Sequence, residues 1–150
     1  MRIDFYRLQR HTPEEVLFQI LQKQLETNEN TLIFSNKKER LSLLSTFLWT
    51  HNSKIFIPHG TDKEAFKEEQ PILLTSKEEN QNKATLLVLL DGSLFKDLSG
   101  FKRCLYFSQE NDPKTLQNAL EFYKKALQEE ADIFCWQEDK SGRWVSKSEP

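Results

Sequence analysis

Residues 85–92 read TLLVLLDG. Five consecutive aliphatic side chains, at positions 86–90, leave neither face of an extended strand polar. A strand with one wet face alternates apolar and polar; a strand that is apolar throughout needs a helix layer on each side. The stretch is therefore read as a central, parallel-sheet strand, and Asp91-Gly92 as the turn that ends it. RCLYF at 103–107 repeats the signal.

Working outward, IDFYRL (3–8) alternates in polarity and reads as a first strand. HTPEEVLFQILQKQLETN (11–28) is a helix with Thr12 as N-cap, Pro13 in its first turn and Glu14 and Glu15 placed well for the helix dipole. Val16, Leu17, Ile20, Leu21 and Leu25 form its apolar stripe. TLIF (31–34) is a buried strand, and SNKKERLSLLSTFLWTHN (35–52) a helix capped by Ser35 or Asn36, with Leu41, Leu44, Leu48 and Trp49 at helical spacing. KIFI (54–57) reads as a strand stopped by Pro58, and PILLT (71–75) as another. DPKTLQNALEFYKKALQEEA (112–131) is the last helix, and IFCWQ (133–137) closes the sheet. Strands alternating with helices predict an α/β three-layer sandwich with a mostly parallel central sheet, one domain over 1–150. EDKSGRWVSKSEP, residues 138–150, is expected to be a partly ordered tail.

The chain has 150 residues, 21 of them basic and 23 acidic, for a net charge of −2. Lys and Arg are mixed with the acids rather than clustered, which argues against strong direct binding to nucleic acid, since that affinity rests on concentrated positive charge. No apolar run approaches the roughly 20 residues that span a bilayer, and the N-terminus lacks an apolar signal core. Cys104 and Cys135 sit in separate strand-like runs without a C-x-x-C pair, so they are read as reduced, buried thiols of a cytoplasmic protein with no membrane contact.

A wound α/β sheet invites a nucleotide, and the sequence resists it. Phosphate-binding turns use glycine so that backbone amides can close on the anion. The four glycines are Gly60, Gly92, Gly100 and Gly142; the first strand is followed by QRHTPEE and the second by SNKKE, and no G-x-G-x-x-G or G-K-[ST] occurs. Asp91, which ends an apolar strand as a magnesium ligand would, is read as a turn residue without that loop. No G-x-S-x-G elbow is present. His51 and His59 are eight apart, unlike the two, three or four that local metal ligands show, and His11 lies far upstream. No catalytic residue, metal or cofactor is expected. His59 is read as a local hydrogen-bonding residue and His51 as solvated.

The aromatics carry more. In FLWTHNSKIFIPHG (47–60), Trp49 ends a helix and Phe56 follows within a few residues, and two such rings can share one surface depression with Lys54 and a histidine at its edge. Ordinary core packing is the simpler reading of the pattern alone. The stretch 48–64, LWTHNSKIFIPHGTDKE, resembles the L-W-x(5–7)-F-[IVL]-P-H signature of the chi subunit of bacterial DNA polymerase III holoenzyme. QPILLTSKEENQNKATLLVLLDG (70–92) is similar to that family's following strands, and WQEDKSGRW (136–144) to the W-Q-x(4)-G-R-W ending of one of its branches.

The resemblance implies a non-enzymatic accessory subunit on a nucleotide-binding-like fold without the phosphate loop. It implies two partners as well: the acidic, phenylalanine-ending C-terminal tail of single-stranded DNA-binding protein, and the psi subunit that ties chi to the clamp loader. Carried over by motif, Trp49 and Phe56 would line the tail pocket, and Pro58 and His59 would shape its edge. Where many relatives carry Arg or Lys on the last helix, this chain has Gln117, Leu120 and Glu121; Lys124 and Lys125 follow one turn later, and with Lys54 and Arg143 are the candidate cations. No motif maps the psi contacts. A helicase-associated interaction module and a degenerate nucleotide-binding enzyme are the alternative readings.

Overall fold

A computed structural model describes residues 1–150. Strand β1, Arg2–Leu8, leads to helix α1, Pro13–Gln24, and β2, Thr31–Phe34, leads to α2, Lys38–Thr50. Then come the two-residue β3, Gly60–Thr61, and the strands β4, Ile72–Thr75, β5, Leu86–Leu89, and β6, Arg103–Gln109. Helix α3, Pro113–Gln128, precedes β7, Asp132–Glu138, and β8, Trp144–Lys147. The sheet runs β3-β4-β2-β5-β6-β1-β7-β8. Every pairing is parallel except β7 with β8. No helix is long and apolar enough to cross a membrane.

The opening stretch behaves as its pattern requires. Leu87 and Leu89 of β5 enter the core beneath α3, while Leu86 and Val88 enter the core beneath α1 and α2, together with Leu90 just beyond the strand. Its neighbours split the same way, with Leu32 and Phe34 against Ile33 in β2, and Cys104 and Tyr106 against Leu105 and Phe107 in β6. The period of two thus fills both helix layers and gives the three-layer sandwich. Ala119, Phe122 and Ala126 seat α3 on one face; Leu17 and Leu21 of α1 and Leu41, Leu44 and Leu48 of α2 cover the other. Both cysteines are free and buried on the α3 side, and burial pushes the Cys135 thiol up to about 11.

Helix starts follow local chemistry. Thr12 and Glu15 form a reciprocal capping box ahead of Pro13, and the Asp112 carboxylate accepts from the Lys114 and Thr115 amides. For α2 the expected cap at Ser35 or Asn36 is corrected: the N-cap is Lys37, with no side-chain cap bond. The Ser35 hydroxyl is drawn away to donate to Asp91 Oδ2 at 2.6 Å, though it also accepts from the Lys37 amide. Ser93 accepts from the Asn36 amide.

Two further expectations are corrected. Residues 54–57 form no strand; pairing starts at Gly60–Thr61, against Leu73 and Leu74. Pro58 has no N–H to give a ladder, and the Ile57 carbonyl is taken by the His59 ring. The C-terminal stretch contains β8, paired with β7 through a turn in which Asp139 accepts from Ser141 and Arg143 and Gly142 adopts φ +87°. The Trp144 ring meets Tyr6 edge-on, 5.5 Å between centroids. IFCWQ therefore does not close the sheet: β7 is interior and β8 is the edge.

Candidate functional site

The aromatic surface is assembled by the end of α2 and the loop after it. Ser45 and Trp49 lie one helical turn apart, on the same face. His59, only 5% exposed, reaches back to both. Its Nδ1 donates to the Ile57 carbonyl at 2.8 Å, which leaves Nε2 as an acceptor for the Ser45 hydroxyl at 2.9 Å. The ring then packs against Trp49 at a tilt, 4.4 Å between centroids, and the Phe56 ring lies 5.3 Å from that of Trp49. Trp49 is 49% exposed and Phe56 67% exposed. A pinned, buried imidazole thus supports Trp49, which in turn packs on Phe56, and both of these rings are exposed. Two large aromatics that a folding core would normally absorb are held outward here, on a support that limits their motion.

Trp49, Phe56, Pro58 and His59 are brought together, with exposed Lys54 in the turn between the two aromatics, its amide bonded to Asn52 Oδ1. Lys124 and Lys125 are not. They lie on α3, which covers the opposite face of the sheet, and Lys125 lines a separate depression with Met1, Lys96 and Phe101. Arg143 sits in the β7–β8 turn. Ser45 was missed by sequence reasoning, though its position four residues before Trp49 on a helix is a legible signal for contact. His51 is not simply solvated: it stacks on Phe47 at 4.4 Å and meets Phe18 edge-on. The three histidines therefore belong to three different environments.

The crevice where this fold would hold a nucleotide has a different occupant. β1 and β6 are neighbours whose following helices leave to opposite faces, and at such a switch point open α/β sheets bind ligands at the carboxyl ends of their strands. There the backbone N–H groups of Gln9, Arg10 and His11 converge on one oxygen of buried Glu138, at 3.0, 2.6 and 2.8 Å. The other oxygen is bonded by the His11 ring. Burial alone would raise the Glu138 carboxyl, but the His11 ring and the converging amides outweigh it and hold the group below its usual range. The amide nest that would cradle a phosphate cradles a carboxylate of the same chain.

Comparison with known proteins bears on the family. Residues 1–133 match the family described as "DNA polymerase III chi subunit, HolC". The chain is also similar to a protein of Rickettsia prowazekii (strain Madrid E) named "Probable DNA polymerase III subunit chi", with 25% identity over 89% of this chain and 87% of that one. A match that runs from the first residue through β1 and α2 to the start of β7 shows the family, and the chain belongs to the DNA polymerase III chi subunits.

Proposed function

We propose that the chain is a non-catalytic adaptor of the polymerase III assembly, which links the clamp loader to single-stranded DNA-binding protein by holding the acidic C-terminal tail of the latter. The observation that carries this reading is the exposed Trp49–Phe56 pair, in which Trp49 packs on a His59 that is itself fixed by two hydrogen bonds. A rigid aromatic platform suits the apolar end of a peptide, because little side-chain freedom is lost on contact. Lys54 stands nearest in sequence for the terminal carboxylate, with Pro58 fixing the path of the loop. The psi subunit would supply the tie to the clamp loader.

A second reading rests on one observation: Lys124 and Lys125 lie across the sheet from the aromatic pair. On that reading the aromatic face docks an apolar segment of a fellow subunit such as psi, and the tail meets the lysines of α3.

The test is titration of a tail peptide, followed by Trp49 fluorescence and by anisotropy of a labelled peptide, with a psi pull-down in parallel. The first reading expects Trp49→Ala and Phe56→Ala each to weaken the peptide by about tenfold or more, as central interface aromatics do. Unchanged peptide affinity in both variants, with psi capture lost, would replace it with the second.

A further inference from the structure

The helices leave one part of the sheet bare. Helix α1 runs from β1 toward β2, and α2 from β2 toward β3 and β4, so on their side neither covers β7 or β8. Ile133 and Cys135 face α3, which turns Phe134 and Trp136 to the bare side. Register sets Phe134 beside Asp4, Trp136 beside Tyr6, and Trp144 beside Glu138 at the strand end. Phe134 is 41% and Trp144 39% exposed, and Trp136 is half-buried. Phe134 and Trp136 line none of the larger cavities, so they form a flat surface rather than a socket.

The same face carries fixed positive charge. Buried Asp4 accepts from Nε and Nη2 of Arg2, both at 3.0 Å, from Arg103 Nε at 2.8 Å and from the Trp136 indole at 3.3 Å. One carboxylate cannot neutralise two guanidinium groups, and it engages Arg103 through Nε alone. Both arginines remain partly exposed, and the Arg2 guanidinium lies over the Phe134 ring, 4.2 Å from its centroid. Lys23 of α1 shares a small depression with Tyr6 and Trp144 and enters no ion pair. Asp132, at the start of β7, is an exposed acid on this side. Three cations against two acids leave one positive charge in excess, held beside exposed rings.

We propose that this bare face binds single-stranded DNA, with Phe134 and Trp136 receiving bases and Arg2, Arg103 and Lys23 receiving phosphates. The proposal goes beyond the tail-binding reading and does not depend on it. Aromatic side chains on an open sheet present flat faces to flat bases, whereas the apolar side chain of a peptide needs a concavity. Phe134 and Trp136 are two residues apart, about 7 Å along a strand, a distance that an extended sugar–phosphate backbone covers with one nucleotide. A second copy of the chain would set arginine against arginine, which like-charge repulsion disfavours. A duplex keeps its base faces in its own stack and offers the rings nothing. With so few cations the binding is weak, in keeping with the mixed charge of the whole chain.

The experiment follows the anisotropy of a short labelled oligothymidylate titrated with the full chain at low salt, beside a duplex of equal length. Phe134→Ala is expected to weaken the single strand about tenfold, the effect of losing a base–aromatic contact. Arg2→Gln should weaken it too, and reduce the slope of log affinity against log salt by about 0.7, one phosphate contact. Arg103 and Trp136 still hold Asp4 in that variant, and circular dichroism should show it folded. Asp132→Asn should bind more tightly than wild type, a gain that no folding defect produces. Trp49→Ala and Lys124→Gln/Lys125→Gln, outside this face, should bind as wild type. Equal affinity for single strand and duplex, or Phe134→Ala equal to wild type, would overturn the assignment. Tighter binding of polyglutamate than of the oligonucleotide would give the face to an acidic peptide instead. A dimer in sedimentation that Phe134→Ala dissolves would give it to a second copy of the chain.

Discussion

At the scale of single residues, His59 explains why two aromatic rings can stay in water without disorder. Its two ring nitrogens tie the Ile57 carbonyl to the Ser45 hydroxyl, and its face supports Trp49. Replacing it with alanine leaves a buried carbonyl and a hydroxyl without partners, which costs about 1–3 kcal/mol. His59→Ala should lower the urea midpoint accordingly, and a midpoint within error of wild type would show that water replaces the ring. Trp49→Ala, which removes a half-exposed ring and leaves both His59 hydrogen bonds in place, should cost less. The sequence pattern identified His59 as a local hydrogen-bonding residue, since it follows an expected strand and Pro58 and its spacing fits no metal site. It could not reveal that Ser45 was the second partner, because the approach of loop and helix depends on how both pack on β4. Nor could it show His51 against Phe47: the two are four residues apart on the same helix side, but only α1 behind them makes that side a niche.

Elements were legible where burial is repeated and obscure where it rests on one contact. β5 declares itself through five apolar residues, and α1 through a cap, a proline and a stripe. β8 has four exposed residues and owes its place to the Asp139 turn and to Trp144 on Tyr6. Nothing in its polarity distinguishes it from a tail. Trp144→Ala should therefore detach it at a cost of about 1 kcal/mol, the value of an aromatic pair plus partial burial. Faster amide exchange confined to 144–147 and the outer edge of β7 would record this; unchanged exchange there would mean that the turn alone holds the strand. The side of the sheet on which Lys124 and Lys125 lie was equally obscure at this scale. The stripe of α3 would be satisfied on either face of the sheet. Right-handed crossover decides which face only when the strand order is known: β7 lies on the far side of β1, so α3 must pass over the side that α1 and α2 leave free.

Across the whole molecule, two buried carboxylates join elements distant in sequence. Asp4 accepts from Arg2 at 3.0 Å, Arg103 at 2.8 Å and Trp136 Nε1 at 3.3 Å, tying β1 to β6 and β7 at one end of the sheet. Glu138 ties β7 to the β1–α1 turn at the other. Burial opposes both charges, but their partners prevail and hold both groups below their ordinary values of 3.8 and 4.5. A lowered carboxyl contributes stability that is complete above its unfolded value and is lost as pH falls through the folded one. Glu138→Gln should accordingly be less stable than wild type at neutral pH, with the gap closing from about pH 4.5 downward. Urea midpoints from pH 3 to 8 would test this, and a gap that persists at pH 3 would mean that shape rather than charge is at stake. The same carboxylate has a consequence for nucleotides. With those three amides already taken by the chain's own carboxylate, added nucleotide is expected to leave the melting temperature unchanged, and a clear rise would show that the carboxylate can be displaced.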